Sequence, residues 1–162
     1  KRLQEQPGQV LDAGCGTGRV GAALQALGVK DVIGGDFTPA SVEAARRRNV
    51  YRSVAHLDLN EQLGFDDNQF ATVVSVGVFS YLTDTSATIT ELLRITKPGG
   101  VVIFTQRTDL WAERDCTSLI DSFVAAGACS ADISDPSPYL PGHTDFGTDI
   151  GIIYTTLTVQ KS

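Results

Sequence analysis

Along most of this chain, short apolar runs alternate with segments whose apolar residues recur at helical spacing. Helices that cover both faces of a mostly parallel sheet produce this alternation. A first strand is predicted over 9–13. A helix over 18–27 then places Val20, Ala23, Leu24 and Leu27 on one stripe before Gly28 ends it. A second strand spans 31–35, after which Thr38 and Pro39 supply a cap and a first-turn proline to a helix reaching about Asn49. A third strand over 53–57 and a polar loop over 60–69 precede a fourth strand over 70–76. Asp84 or Thr85 can cap a helix carrying Ile89, Leu92, Leu93 and Ile95 as far as Thr96, where Lys97-Pro98-Gly99-Gly100 predicts a turn. A fifth strand over 101–105, one helix over 110–126 and two late strands over 129–133 and 150–159 complete the pattern, the last two as a closing hairpin. The expected architecture is a doubly wound α/β domain over 1–162, its sheet seven-stranded and mostly parallel with an antiparallel C-terminal strand.

Composition narrows the function. The formal net charge of −6 repels nucleic-acid phosphates, so no nucleic-acid partner is expected. The one basic run, Arg46-Arg47-Arg48, ends a predicted helix, where cations complement the negative end of the helix dipole. No apolar stretch approaches the roughly 18 residues of a membrane span, and Lys1 to Gly8 reads as neither signal nor transit peptide. Cys15, Cys116 and Cys129 lack metal-binding or disulfide spacing, so no metal site is expected. A cytoplasmic monomer is the expected setting. Methionine is absent and the chain opens on Lys1, so upstream residues are expected to have been trimmed, and an N-terminal lid with them.

The chemistry concentrates where the first strand breaks, at Val10-Leu11-Asp12-Ala13-Gly14-Cys15-Gly16-Thr17-Gly18. Glycines at alternate positions let a ligand lie against the backbone, and the helix that follows aims free N–H groups at it. That predicts a nucleotide-bearing cofactor. Gly16-Thr17-Gly18-Arg19-Val20-Gly21 matches the dinucleotide fingerprint G-x-G-x-x-G, yet it trails the strand by a Gly-Cys pair. The extra turn suits a shorter cofactor without pyrophosphate, and an NAD(P)-dependent oxidoreductase is the lesser alternative. Asp36 and Asp58 end the second and third strands, where a carboxylate can accept from hydroxyls or an amine.

Leu11 to Gly18 resembles the first motif of the class I S-adenosylmethionine-dependent methyltransferases, Leu-Asp-x-Gly-x-Gly-x-Gly. Phe70 to Leu82 looks like the fourth motif of that superfamily, and Leu92 to Gly100 like the element after it. Phe70-Ala71 stands where Phe-Asp is common, and Ser80-Tyr81 where many members carry histidine. Glu91 to Gly100, Thr105-Gln106-Arg107-Thr108 and Gly151-Ile152-Ile153-Tyr154 are similar to a subgroup, the methyltransferase-like proteins named for the Williams–Beuren syndrome chromosome region. The resemblance implies a Rossmann-like fold, S-adenosyl-L-methionine as cofactor, and transfer of its methyl group to an unidentified small molecule or protein. It implies ribose binding by Asp36, adenine binding by Asp58, and further contacts from Asp12, Gly14, Cys15, Gly16, Thr17, Gly18, Phe37, Leu59, Val76 and Gly77.

A methyl group on a sulfonium is already activated, so alignment and desolvation of the acceptor can suffice and a catalytic base is optional. No catalytic residue is assigned. Phe79, Tyr81, Arg107 and Trp111 follow the fourth and fifth strands on the rim where ligands bind, and His143 lies on a proline-rich connection able to fold over it. These are the candidate acceptor contacts. His56, inside the third strand, is expected to be structural, and Cys15, without a partner thiol or histidine, is expected to pack. Another class of reading is a non-catalytic protein that binds S-adenosylmethionine or S-adenosylhomocysteine.

Overall fold

The computed structural model describes residues 8–138 and 149–160. Its strands are β1 (Val10–Ala13), β2 (Val32–Asp36), β3 (Ser53–His56), β4 (Phe70–Ser75), β5 (Thr96–Arg107), β6 (Cys129–Ile133), β7 (Ser137–Pro138) and β8 (Gly151–Val159). The helices are α1 (Arg19–Ala26), α2 (Pro39–Arg48), α3 (Thr85–Ile95), α4 (Thr108–Glu113) and α5 (Cys116–Ala125). They build one sheet in the order β3-β2-β1-β4-β5-β8-β6, with β7 paired to β8. The pairs from β3 to β5 are parallel, and β8 runs antiparallel to both β5 and β6. The expected doubly wound α/β sheet is present, with two-residue β7 as an eighth strand from Ser137 opposite Ile152.

Alternation along the strands divides the core between two faces. Leu11, Val73 and Val102 face the larger cluster, with Phe70, Phe104, Ile89, Leu92 and Ile120. Val10, Val32 and Val74 face the other side and meet Leu24 of α1, and α2 adds Val42 and Ala45 against Val54. The capping signals act as expected: Thr38 Oγ1 accepts from Ser41 N at 3.4 Å, and Asp84 Oδ1 accepts from Ala87 N at 2.9 Å.

Two boundaries differ from the sequence reading. Thr96 already pairs with Phe70 and Val101 pairs with Thr72, so Lys97 to Gly100 bulges within β5 instead of separating helix from strand. The single helix expected over 110–126 is two, because Asp115 takes a left-handed conformation (φ 46°) and caps α5 through Ser118 N. Among the described residues no helix is long and apolar enough to cross a membrane.

Arg94 ties α3 to the loop before β4. Its guanidinium donates to the carbonyls of Leu63 and Phe65, each at 2.9 Å, and forks onto Glu91, while Nη1 meets Asp67 Oδ1 at 2.7 Å. These hydrogen bonds hold the Glu91 carboxyl below its ordinary range. Arg94→Ala is expected to cost about 2–3 kcal/mol of stability in urea unfolding, since two carbonyls and two carboxylates lose a charged donor. A loss under about 0.5 kcal/mol would reduce the cluster to a surface ion pair.

Candidate functional site

The strand order reverses between β1 and β4, and in open α/β sheets a crevice for ligands forms at such a point, beyond the carboxyl ends of the strands. Here the crevice is a cavity of about 740 Å³, within the range of small-molecule sites. Its floor is the turn after β1, where Gly14, Gly16 and Gly18 have φ of 82°, 51° and 89°. Gly14 N and Cys15 N both donate to the Gly35 carbonyl, at 2.8 and 2.9 Å, which ties the turn to the end of β2. A Cβ on Gly14 would lie 2.3 Å from Val78 Cγ2, whereas one on Gly16 would meet no heavy atom within 4 Å.

Asp36 joins the turn to α2. Its Oδ2 accepts from Gly16 N at 2.9 Å, and its Oδ1 accepts from Thr38 N and Thr38 Oγ1 at 3.0 and 3.1 Å. These donors fix the carboxylate at the cavity wall while leaving lone pairs for a ligand. Asp58 is held by Asn60 N, 2.9 Å from Oδ1. Gly77 N donates to Thr105 Oγ1 at 2.9 Å and pins the end of β4 to β5.

Of the expected cofactor contacts, Gly14, Gly16, Asp36, Phe37, Asp58, Leu59, Val76 and Gly77 line this one cavity. Asp12, Cys15, Thr17 and Gly18 do not. Cys15 packs with Val42, Ala45 and Val54, and burial beside Asp12 and Asp36 pushes its thiol up to about 12. Thr17 is exposed, its carbonyl accepting from Arg48 Nε. Thr38, Ser41, Leu57, Asn60, Val78 and Leu82 also line the cavity and were not singled out by motif. Most flank the strand-end acids or the end of β4, and that adjacency was the available signal.

The acceptor-side candidates divide. Tyr81 is 80% exposed and lines the cavity. Phe79 is instead fully buried, stacked on Phe104 with ring centroids 4.1 Å apart, because the 3₁₀ turn over Phe79–Tyr81 sends alternate rings to opposite sides. Trp111 is also buried in the core, where Nε1 donates to Thr117 Oγ1 at 2.9 Å. Arg107 forks onto Asp109, at 2.6 and 3.1 Å. His143 lies outside the described residues. His56 is exposed at the edge strand, its ring 5.6 Å from that of Phe37.

Beneath the turn, Asp12 is completely buried. Tyr51, from the loop between α2 and β3, donates its hydroxyl hydrogen to Asp12 Oδ2 at 2.7 Å and accepts from Gly21 N at 3.2 Å. Oδ1 of Asp12 has no hydrogen-bond partner. A Cβ at Gly21 would lie 2.3 Å from the Tyr51 ring, so the third glycine of the apparent dinucleotide fingerprint makes room for a side chain of this chain.

Desolvation, and secondarily the charge of Asp36, raise the Asp12 carboxyl to about 6 against the Tyr51 hydrogen bond that lowers it. The native state therefore holds this proton more tightly than the unfolded chain. The resulting stability is complete below the unfolded pKa and is lost as pH rises through about 6. Between pH 7.5 and pH 5 the ligand-free protein is expected to gain about 1.4 kcal/mol from Asp12, a gain that Asp12→Asn lacks. Urea unfolding of both forms at the two pH values checks this, and identical pH dependence would assign the titration elsewhere.

The family described as "Methyltransferase domain" matches residues 11–104, more than half of the chain. Among curated relatives, a malonyl-[acyl-carrier protein] O-methyltransferase of Serratia marcescens is 32% identical over 124 residues, covering 72% of this chain and 48% of that protein. A demethylmenaquinone methyltransferase of Corynebacterium kroppenstedtii is 42% identical over 102 residues, covering 62% and 42%. The chain thus spans less than half the length of these relatives. A solved structure of Haemonchus contortus phosphoethanolamine N-methyltransferase 2 in complex with S-adenosyl-L-methionine superposes with a TM-score of 0.74 at 15% identity, covering 98% of this chain and 51% of that one. At that identity the likeness bears on the fold alone. With the family match running from the strand under the glycine turn to β5, the chain belongs to the methyltransferase-domain family.

Proposed function

We propose that this chain is the cofactor-binding and catalytic domain of an S-adenosyl-L-methionine-dependent methyltransferase acting on a small-molecule or protein acceptor. The observation that carries the reading is the meeting of the glycine turn, Asp36 and Asp58 around one cavity at the reversal of strand order. The residues present fit the cofactor: the backbone at Gly16 is open, two strand-end carboxylates face the cavity, and a buried carboxylate oxygen of Asp12 lacks a partner below it. Asp36 would take the ribose hydroxyls, Asp58 the adenine amine, and the exposed Phe37 ring with Leu59 the apolar faces of the base. Asp12 would balance the ammonium of the methionine moiety. When bound, S-adenosyl-L-methionine supplies a methyl group on a cationic sulfur that needs no further activation. The contribution of the chain is then to hold an acceptor in line and exclude water, with Tyr81 at the mouth of the cavity as the exposed ring able to contact it.

The finer readings rest on sequence. Glu91 to Gly100, Thr105 to Thr108 and Gly151 to Tyr154 support membership of the Williams–Beuren methyltransferase-like subgroup. The net charge of −6 supports an acceptor other than nucleic acid, and the reading includes a cytoplasmic monomer. A second reading, binding of the cofactor without transfer, is favoured by the burial of Phe79 and Trp111, which removes two expected acceptor contacts.

Calorimetric titration with S-adenosyl-L-methionine, S-adenosylhomocysteine and NAD is expected to give binding to the first two. Binding of NAD alone would end the proposal. Incubation of the protein with methyl-labelled cofactor and a metabolite and protein extract then separates the two readings, with transfer expected for the methyltransferase and none for the binding protein.

A further inference from the structure

We infer that Tyr51 is a positioning residue for the cofactor site: it braces both arms of the glycine turn and presents Asp12 with one carboxylate oxygen committed and the other free. The inference rests on the cofactor assigned under Proposed function. Four observations carry it. The Tyr51 hydroxyl donates to Asp12 Oδ2, 2.7 Å away, on the strand that enters the turn. The Tyr51 hydroxyl oxygen also accepts from Gly21 N, at 3.2 Å, on the helix that leaves the turn. The N-cap of helix α1 is Gly18, which offers no side-chain cap, so Tyr51, 30 positions beyond Gly21, satisfies one of the free N–H groups of the first turn. The Tyr51 ring fills a notch that exists only because three positions lack a Cβ: one built on Gly18, Gly21 or Gly34 would approach ring atoms to 3.2, 2.3 or 3.2 Å.

The consequence for ligand binding follows from the commitment of Oδ2. Rotation of the Asp12 carboxylate would break the bond to Tyr51, so Oδ1, buried under the turn and without a hydrogen-bond partner, is the oxygen left uncompensated for a cation bound above it. The groups that bear on its charge are the Tyr51 hydroxyl from the loop before β3, Asp36 from β2, the backbone N–H of Gly21 from α1 and the Cys15 thiol in the turn, while Arg48 at the end of α2 is spent on the Thr17 carbonyl. Tyr51 is the side-chain donor among them that favours the ionised form, and its effect is larger than that of the Gly21 N–H. Without the hydroxyl, Asp12 holds its proton to higher pH and competes less well for an ammonium ligand.

The test uses Tyr51→Phe, which keeps the ring in its notch, with two probes. S-adenosylhomocysteine carries the amino-acid end, and 5′-methylthioadenosine lacks it. At pH 7 the substitution is expected to weaken S-adenosylhomocysteine about tenfold and leave 5′-methylthioadenosine within about twofold. In the unsubstituted protein, affinity for S-adenosylhomocysteine is expected to fall as pH drops through about 6, and Tyr51→Phe should move that fall up by about one pH unit. Equal weakening of both probes with an unmoved pH profile would make Tyr51 a packing residue and overturn the inference. Absence of S-adenosylhomocysteine binding by the unsubstituted protein would instead overturn the cofactor assignment. Should Tyr51→Phe not fold by circular dichroism, Asp12→Asn serves: its affinity for S-adenosylhomocysteine should be flat between pH 5 and pH 8, and a retained fall would reject the inference.

Discussion

Asp36→Ala is expected to weaken S-adenosylhomocysteine binding a hundredfold or more, roughly 2.7 kcal/mol. Two losses contribute. The first is direct: hydrogen bonds from the ribose hydroxyls to a charged acceptor contribute about 1.5–3 kcal/mol. The second acts through the backbone, because the carboxylate also accepts from Gly16 N and from both polar hydrogens of Thr38. Without it the floor of the cavity and the start of α2 lose their shared anchor. Asp36→Asn separates the two losses. A single amide oxygen can accept from Gly16 or from Thr38 but not from both in their present places, so an intermediate loss of about tenfold is expected. Calorimetric titration measures each variant, with thermal unfolding as the control for folding. Unchanged affinity in Asp36→Ala would remove the residue from the site.

Gly14→Ala is expected to destabilise the fold by about 2–5 kcal/mol, the largest effect of any single methyl added to the turn. Its left-handed backbone contributes about 1–2 kcal/mol with any side chain. Overpacking against Val78, where the new methyl would lie 2.3 Å from Cγ2, contributes about 1–3 kcal/mol more. Combining it with Val78→Ala should recover the second part and leave the first, so a double-mutant cycle in urea is expected to show a coupling of about 1–2 kcal/mol. Gly16→Ala is the contrast. Its methyl would meet no neighbour, so stability should fall only by the backbone contribution of about 1–2 kcal/mol. That methyl would instead narrow the cavity and register in cofactor affinity. Equal stability losses at Gly14 and Gly16 would contradict this geometry.

Much of the fold was legible because β1 and β4 are wholly buried strands bounded by glycine or polar breaks, and because Thr38-Pro39 and Asp84 are local helix starts. Asp36 and Asp58 could be placed at the cavity for the same reason: the end of a parallel strand points to the ligand side of the sheet. What escaped depended on information beyond neighbouring residues. Lys97-Pro98-Gly99-Gly100 announces that the backbone must bend, but not that Thr96 has already begun to pair. Asp115 is a good cap anywhere, and only its left-handed conformation turns it into a break between α4 and α5. Phe79 and Tyr81 lie two residues apart, and a short 3₁₀ turn sends one into the core and the other to the cavity. Tyr51 is the extreme case, since its partner Asp12 is 39 positions away and no periodicity links them.

The place of β8 between β5 and β6 has a consequence for how the chain is made. During synthesis the ribosome releases β5 and β6 before the strand that must separate them. Until β8 emerges, the growing polypeptide carries a half-built sheet whose β5 border is open to pairing with another molecule. The interval before the last insertion is the one in which the unfinished sheet is most open to aggregation.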